Sequence, residues 1–433
     1  MTDLTARQRS RNVFASKLES SSRTRARLRL VMTSVLIVAV VAGLLVVGPL
    51  VPASAARSCG PPSWQVVPTP NEGTGSDELL GITAISPTDA WAVGEGWDEA
   101  EDHTVALIER WDGTGWSVAS SPPAGDSSGL FAVDAVASND VWAVGYMAFS
   151  EQQVVRALTQ HWDGTSWETV EADIPDAGPW VTTIFADVLA LAPDDVWAVG
   201  RWAEVPDSPT PSPLIEHWDG SDWEVVNGPD FDTWSELKSV SGTGPDDIWF
   251  VGSTEVFLEG KQAFVERALI EHWDGEAFTV FKAPFNRRHP LNPFDLEDVV
   301  ALSPTDAWAV GSLTKANGRT VNLTFHWDGK EWTRVPVPNP SGTFQWLSAV
   351  TAVSPERVVA VGRYLDDETR SSRTFVTRWN GERWRKISSA NTNAGSELYD
   401  VTSVDGWRSA VGSSWSNRSG GRYRTLALQP CSS

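Results

Sequence analysis

Four histidines, His161, His217, His272 and His326, each followed by Trp-Asp-Gly, supply the side-chain type of a metal centre. Their spacing argues against one. They stand 56, 55 and 54 residues apart, each at the same point of a longer repeat. A fold built from that repeat carries one histidine per unit and holds the imidazoles apart, so a structural role is expected and no metal. Asp112, Asp163, Asp219, Asp274 and Asp328 each precede a glycine and suit a tight hairpin, where a short carboxylate bonds to its own backbone. The acidic stretch 95–102 lacks the alternating ligands and central glycine of a calcium loop and reads as solvated. No Gly-x-Ser-x-Gly, Walker or His-Glu-x-x-His string is present, so no catalytic residue and no cofactor is assigned. What remains follows a recurrent glycine: Trp97, Tyr146, Trp202, Tyr364 and Trp415, with Arg201 and Arg363. Aromatic faces beside guanidiniums suit stacking on sugar rings or gripping a protein, and these seven are the candidate ligand-binding residues. The competing reading has the rings extend a strand and cap the junction between units.

The element that positions them is a Trp-Ala-Val-Gly string. Copies begin at Trp91, Trp142, Trp197, Trp249 and Trp308, with degenerate ones at Val359 and Ser409, at spacings of 51, 55, 52, 59, 51 and 50 residues. A period near 50 without helical periodicity points to a β-propeller. Four strands fit one copy. Strand a, Leu80–Ser86, ends in a Ser-Pro-Thr-Asp turn. Strand b is Ala90–Gly94, apolar on both faces. Strand c ends at Trp111, Asp112-Gly113 makes a hairpin, and strand d starts at Trp116. The candidate residues then fall on the loops between strands b and c. The last copy lacks strand d, and Ser63–Pro68 at the other end of the chain supplies it. The expected fold is all-β, a seven-bladed β-propeller of four-stranded antiparallel blades over residues 56–433. Its N-terminal strand completes the last blade and leaves no long open edge. Cys59 and Cys431, the two cysteines of the chain, fall beside the closing strands, and in an exported protein such a pair reads as a disulfide.

Residues 1–29 are basic and polar, a cytoplasmic flank. Leu30 to Val51 is an uncharged apolar run long enough to span a bilayer as one N-terminal hydrophobic helix. Ala53 and Ala55 then give the small-x-small pattern of signal-peptidase cleavage. Residues 30–55 are thus a cleaved signal or a retained anchor, and both readings place the body outside the cell or on its surface. The chain carries a formal charge of −22, distributed as +6 over residues 1–55 and −28 over the rest. So acidic a body repels phosphate backbones and anionic headgroups, which excludes nucleic acid and leaves residues 30–51, if uncleaved, as the membrane contact. A monomer is expected.

The strings Trp91-Ala-Val-Gly94 and Trp111…Trp116 resemble the kelch and galactose-oxidase-like propellers in shortened form. More closely, the units Asp-x-Trp-Ala-Val-Gly and His-Trp-Asp-Gly-x-x-Trp resemble a class of bacterial exported propeller repeats, over about residues 60–430. A single glycine and a five-residue aromatic spacing depart from kelch, and the four tyrosines give no galactose-oxidase copper set, so the resemblance lends no catalytic residue. The expected function is a binding module for protein or carbohydrate at the cell surface, without catalysis. Two alternatives stand beside it: a glycan hydrolase or lyase with carboxylates on one face, and a structural envelope protein held by the helix. Carboxylates converging in the central funnel favour the enzyme; a funnel of Ala, Ser and Val favours the binder.

Overall fold

In the computed structural model the chain divides into two units, Met1–Ser58 and Cys59–Ser433. The structure describes residues 63–71, 75–173, 181–204, 208–284, 289–340, 342–392, 394–416 and 421–431, all in the second unit. The hydrophobic helix expected within 30–55, the cleavage site at Ala53 and Ala55, and Cys59 lie outside the described residues.

The described strands form seven four-stranded units in chain order. Blade I has strands a to d at Asp77–Ser86, Asp89–Asp98, His103–Trp111 and Trp116–Ala119, and blade II at Ser127–Ala137, Asp140–Phe149, Val154–Trp162 and Trp167–Val170. Blade III follows with Val181–Ala192, Asp195–Glu204, Ser208–Trp218 and Trp223–Val225, then blade IV with Ser235–Gly244, Asp247–Leu258, Ala263–Trp273 and Phe278–Val280. Blade V is Phe294–Ser303, Asp306–Thr314, Thr320–Trp327 and Trp332–Arg334; blade VI is Gln345–Ser354, Arg357–Asp366, Ser371–Trp379 and Trp384–Ser389. Blade VII takes strands a to c from Ser396–Val404, Trp407–Ser416 and Arg422–Pro430. Its strand d is Ser63–Val67, antiparallel to strand c with Trp64 opposite Pro430 and Val67 opposite Ala427. The same strand also pairs in parallel with strand d of blade VI, Ser63 opposite Ser388, so blades VI and VII make one eight-stranded sheet. Successive a strands adjoin each other, and that of blade VII returns to blade I, where the Ile82 N–H donates to Asp400 at 2.7 Å. The result is a β-propeller.

The tryptophans explain why the sheets stack radially. Strand b tryptophans are about 1% exposed in blades I, II, IV and V, and each lies between the two hairpin tryptophans of the next blade. Trp91 sits 5.1 Å from Trp162 and 5.2 Å, edge-on, from Trp167. Trp142 repeats this with Trp218 and Trp223, Trp249 with Trp327 and Trp332, and Trp308 with Trp379 and Trp384. A tilted ring on one side and an edge on the other is the arrangement that aromatic quadrupoles favour. The outer end of each junction is tied as well, since the Trp111, Trp162, Trp218 and Trp327 indoles donate to carbonyls of the turn between strands a and b of their own blades. The hairpin aspartates act as expected of turn formers. Asp163 accepts from the Thr165 hydroxyl and from the Thr165 and Ser166 amides, which hold its carboxyl down at about 2, and Gly164 takes a φ of +94°.

Candidate functional site

The mouth of the ring is shaped by one irregularity repeated seven times. Strand a slips register against strand b after its buried Leu or Phe, at Leu79, Leu130, Phe185, Leu237, Leu296, Leu347 and Leu398. The slip is a β-bulge, which inserts one residue and re-aims its side chain. It also drives a strand a carbonyl over the glycine of Trp-Ala-Val-Gly. A methyl built on Gly94 would stand 1.9 Å from the Glu78 oxygen, and one on Gly145 2.1 Å from the Gly129 oxygen. The recurrent glycine is therefore a seat for the bulge. The inserted residues differ in every blade: Leu80, Phe131, Ala186, Lys238, Glu297, Ser348 and Tyr399.

Strand b does not end at that glycine, as the sequence suggested. It runs about four residues further, because strand c continues the ladder: Gly94 faces Leu107 and Asp98 faces His103. The Asp98 carboxylate then accepts from the Ala100 and Glu101 amides to close the turn. The seven candidate residues are thus strand residues, and alternation turns Trp202 away from Arg201 and Tyr364 away from Arg363. Those directly after the glycine reach the bulge residues and their neighbours. Tyr146 donates to Glu95 at 3.1 Å, Arg201 pairs with Glu236 at 2.6 Å, and Arg363 pairs with Glu397. The other four pack elsewhere. Trp202 joins the core around Phe185 and Trp223. Tyr364 lies 6.5 Å from Phe375 with Lys386 over its ring, and Trp415 meets Tyr423 edge-on at 5.0 Å. Trp97 donates its backbone amide to Ser76.

Residues that sequence reasoning missed complete the mouth. Tyr399 donates within reach of Glu78 at 3.2 Å, Glu397 at 3.3 Å and the Ser413 hydroxyl at 3.1 Å. Burial, with Glu95 and Glu397 nearby, lifts the Glu78 carboxyl above its ordinary range against the opposing Ser413 and Tyr399 hydrogen bonds. Burial and the same carboxylates keep Tyr399 a neutral phenol. Lys238 lies 2.6 Å from Glu297 and 3.3 Å from Asp295. Burial acts to discharge the ammonium, but Glu297, Asp295 and Glu236 outweigh it, so Lys238 stays charged. One lysine cannot balance both carboxylates: Asp295 is held low, whereas burial pushes Glu297 up to about 8. Lys238 and Arg363 both stand 6.0 Å from the centre of the half-buried Trp346 ring, and Phe344 stacks 5.8 Å from that ring.

Below the mouth, half-buried aspartates stitch the a strands together. Asp400 accepts from Ile82 of blade I, Asp134 from Ala190 of blade III, Asp187 from Val240 of blade IV, and Asp298 from Val350 of blade VI. Burial raises all four, to about 6 in Asp298 and about 7 in Asp400. Carboxylates therefore do converge in the funnel. The four aspartates are bound to the backbone of adjacent blades, and the carboxylates of the mouth are bound to cations and phenols.

The histidines fall where a repeat puts them, one in each of blades II to V. His161, His217, His272 and His326 place Nε2 at 2.8–2.9 Å from Asp140, Asp195, Asp247 and Asp306, and each ring lies on the strand b tryptophan of its own blade. Arg110 does the same in blade I with Asp89 and Trp91. The Asp of Asp-x-Trp thus holds a flat cation-forming group over the indole.

No family model and no curated protein matches the sequence. Solved structures do match in fold. An ulvan lyase, a polysaccharide lyase solved with -[GlcA(1-4)Rha3S]- bound, superposes with a TM-score of 0.53 at 10% identity, over 81% of this chain and 94% of the lyase. YCF48 from Cyanidioschyzon merolae gives a TM-score of 0.48 at 12% identity, over 85% of this chain and 98% of that one. A xyloglucanase from Xanthomonas campestris gives 0.44 at 13% identity, over 81% and 59%. The likeness to the ulvan lyase is one of fold: this chain is an all-β propeller of four-stranded antiparallel blades.

Proposed function

We propose that this chain is an exported seven-bladed propeller that binds carbohydrate at the mouth of its ring and carries out no chemistry there. The observation that supports this most is Trp346, a half-buried indole flanked by Lys238 and Arg363 and surrounded by fixed donors and acceptors. An indole face suits the C–H face of a sugar ring, and held polar groups around it orient hydroxyls. Export rests on the apolar run Leu30 to Val51 and the small residues Ala53 and Ala55. Titrating the protein with neutral oligosaccharides by calorimetry tests the reading. Trp346→Ala should weaken the best ligand by about tenfold or more while leaving the melting temperature near that of the parent. Undiminished binding in that variant would remove the site.

A second reading, glycoside cleavage, is supported by Glu78 and Glu397 sharing the Tyr399 hydroxyl, with burial raising the Glu78 carboxyl above its ordinary value. Release of reducing ends, abolished by Glu78→Gln and by Glu397→Gln, would establish it. The binding reading comes first because every carboxylate of that group already has a partner within the protein.

A further inference from the structure

On blade V, a cleft of about 380 Å³ opens beside the end of strand b, lined by His289, Lys315, Asn317, Arg334, Phe294 and Leu313 among others. It is separate from the mouth. Ser312 bonds to Asp295 of the mouth group, and Leu313, the next residue along the strand, points to the opposite face. The walls are tied by backbone bonds: the Thr314 amide donates to Pro293, the Lys315 amide to Arg319, and the Asn292 amide to His289. Phe294, 4% exposed, forms the floor, with the Arg267 guanidinium 5.2 Å from its ring centre.

The charge of this cleft runs against that of the molecule. Residues 56–433 carry −28, and the cations of the mouth are all matched by carboxylates. Lys315, Arg334 and His289 line one cleft, and among the described residues none of them has an ion-pair partner. Among the described residues no carboxylate lines the cleft either. Cationic side chains around an apolar ring floor suit an oxyanion attached to a ring, the guanidinium taking the oxyanion and Phe294 with Leu313 taking the ring. The volume admits a small molecule and not a chain.

We propose that this cleft is a second ligand site, taking a small ring compound that bears a phosphate, sulfate or carboxylate group. Calorimetry at low salt with phenyl phosphate, phenyl sulfate and benzoate separates the three oxyanions, and inorganic phosphate and phenol isolate the two halves of the ligand. The expected result is saturable binding of at least one ring oxyanion, one per chain. Inorganic phosphate and phenol should each bind about tenfold more weakly or worse, and Arg334→Ala with Lys315→Ala should cost about tenfold. Both residues are exposed, so the variant should melt with the parent. Absence of saturable binding by all three ring oxyanions would overturn the proposal. So would equal affinity for inorganic phosphate, or unchanged affinity in the double variant. A Trp346→Ala change leaves this cleft intact, so failure at the mouth and failure here are told apart.

Discussion

Glu271 sits on strand c of blade IV with no accessible surface and both carboxyl oxygens without a hydrogen-bond partner. Equivalent places in neighbouring blades solve the same burial differently: Gln160 donates to Pro122 and accepts from Ser121, and Glu216 accepts from the Asp173 amide. Burial pushes Glu271 up to about 8 from an ordinary 4.5. An acid raised in the fold holds a proton that the unfolded chain has already released. Its cost is absent below pH 4.5, grows as pH rises through that window, and is complete above about 8. Glu271→Gln should therefore raise the melting temperature by about 2 °C or more at pH 8.5 and by under about 1 °C at pH 5. Equal shifts at both pH values in a melting series would refute the assignment. At this scale the sequence was only partly legible. The spacing of the histidines exposed them as structural. Their aspartate partners did not stand out, because Asp306, for one, also ends a Ser-Pro-Thr-Asp turn and a turn explains it fully. Lys238 and Tyr399 were illegible, since a β-bulge leaves no mark in hydrophobic alternation. Aligning the strand a copies and looking for the column whose residue type changes in every blade is the signal that finds them.

Among the elements, the strand b tryptophans carry the junctions between blades. Trp142 is 1% exposed, lies between Trp218 and Trp223, and leaves its indole nitrogen without an acceptor. Trp142→Ala should destabilise the protein by about 3–5 kcal/mol, whereas Trp142→Phe, which keeps a ring in the slot and loses no hydrogen bond, should cost less than half of that. Urea midpoints for the two variants check it, and similar losses would show that volume alone is not what the slot requires. Strand identity was read correctly from the period and the Asp-Gly hairpins. Strand length was not: charged and small residues after Gly94 look like loop, yet in an outer hairpin they pair across to strand c with their backbone and leave their side chains to alternate. That misreading mattered for the site. It treated Arg201 and Trp202 as neighbours in one rim, when adjacent strand residues face opposite ways.

For the whole molecule, closure depends on Ser63–Val67. Cys431 directly follows strand c of blade VII and is not a free thiol, and Cys59 stands four residues before Ser63 in the sequence. If the two cysteines pair, the protein should have an intact mass about 2 Da below that of its reduced form, with neither cysteine alkylated before reduction. Alkylation of both thiols in the native protein would exclude the bond. The closing strand was legible because a repeat missing its last element at one end and carrying a spare one at the other points to a ring. Its second, parallel pairing to blade VI has no counterpart in the other copies and so had no precedent in the repeat. Closure also fixes an order of events in synthesis. Ser63–Val67 leaves the ribosome before every other strand, but the strand it pairs with, Arg422–Pro430, comes last. At about 5–20 residues per second the interval is about 20–70 s. Through that time the first strand lacks its antiparallel partner in blade VII, and afterwards the open edge of that blade accepts whichever copy of the strand reaches it first. In a crowded compartment, exchange of this strand between two chains is the assembly error to which this propeller is most exposed.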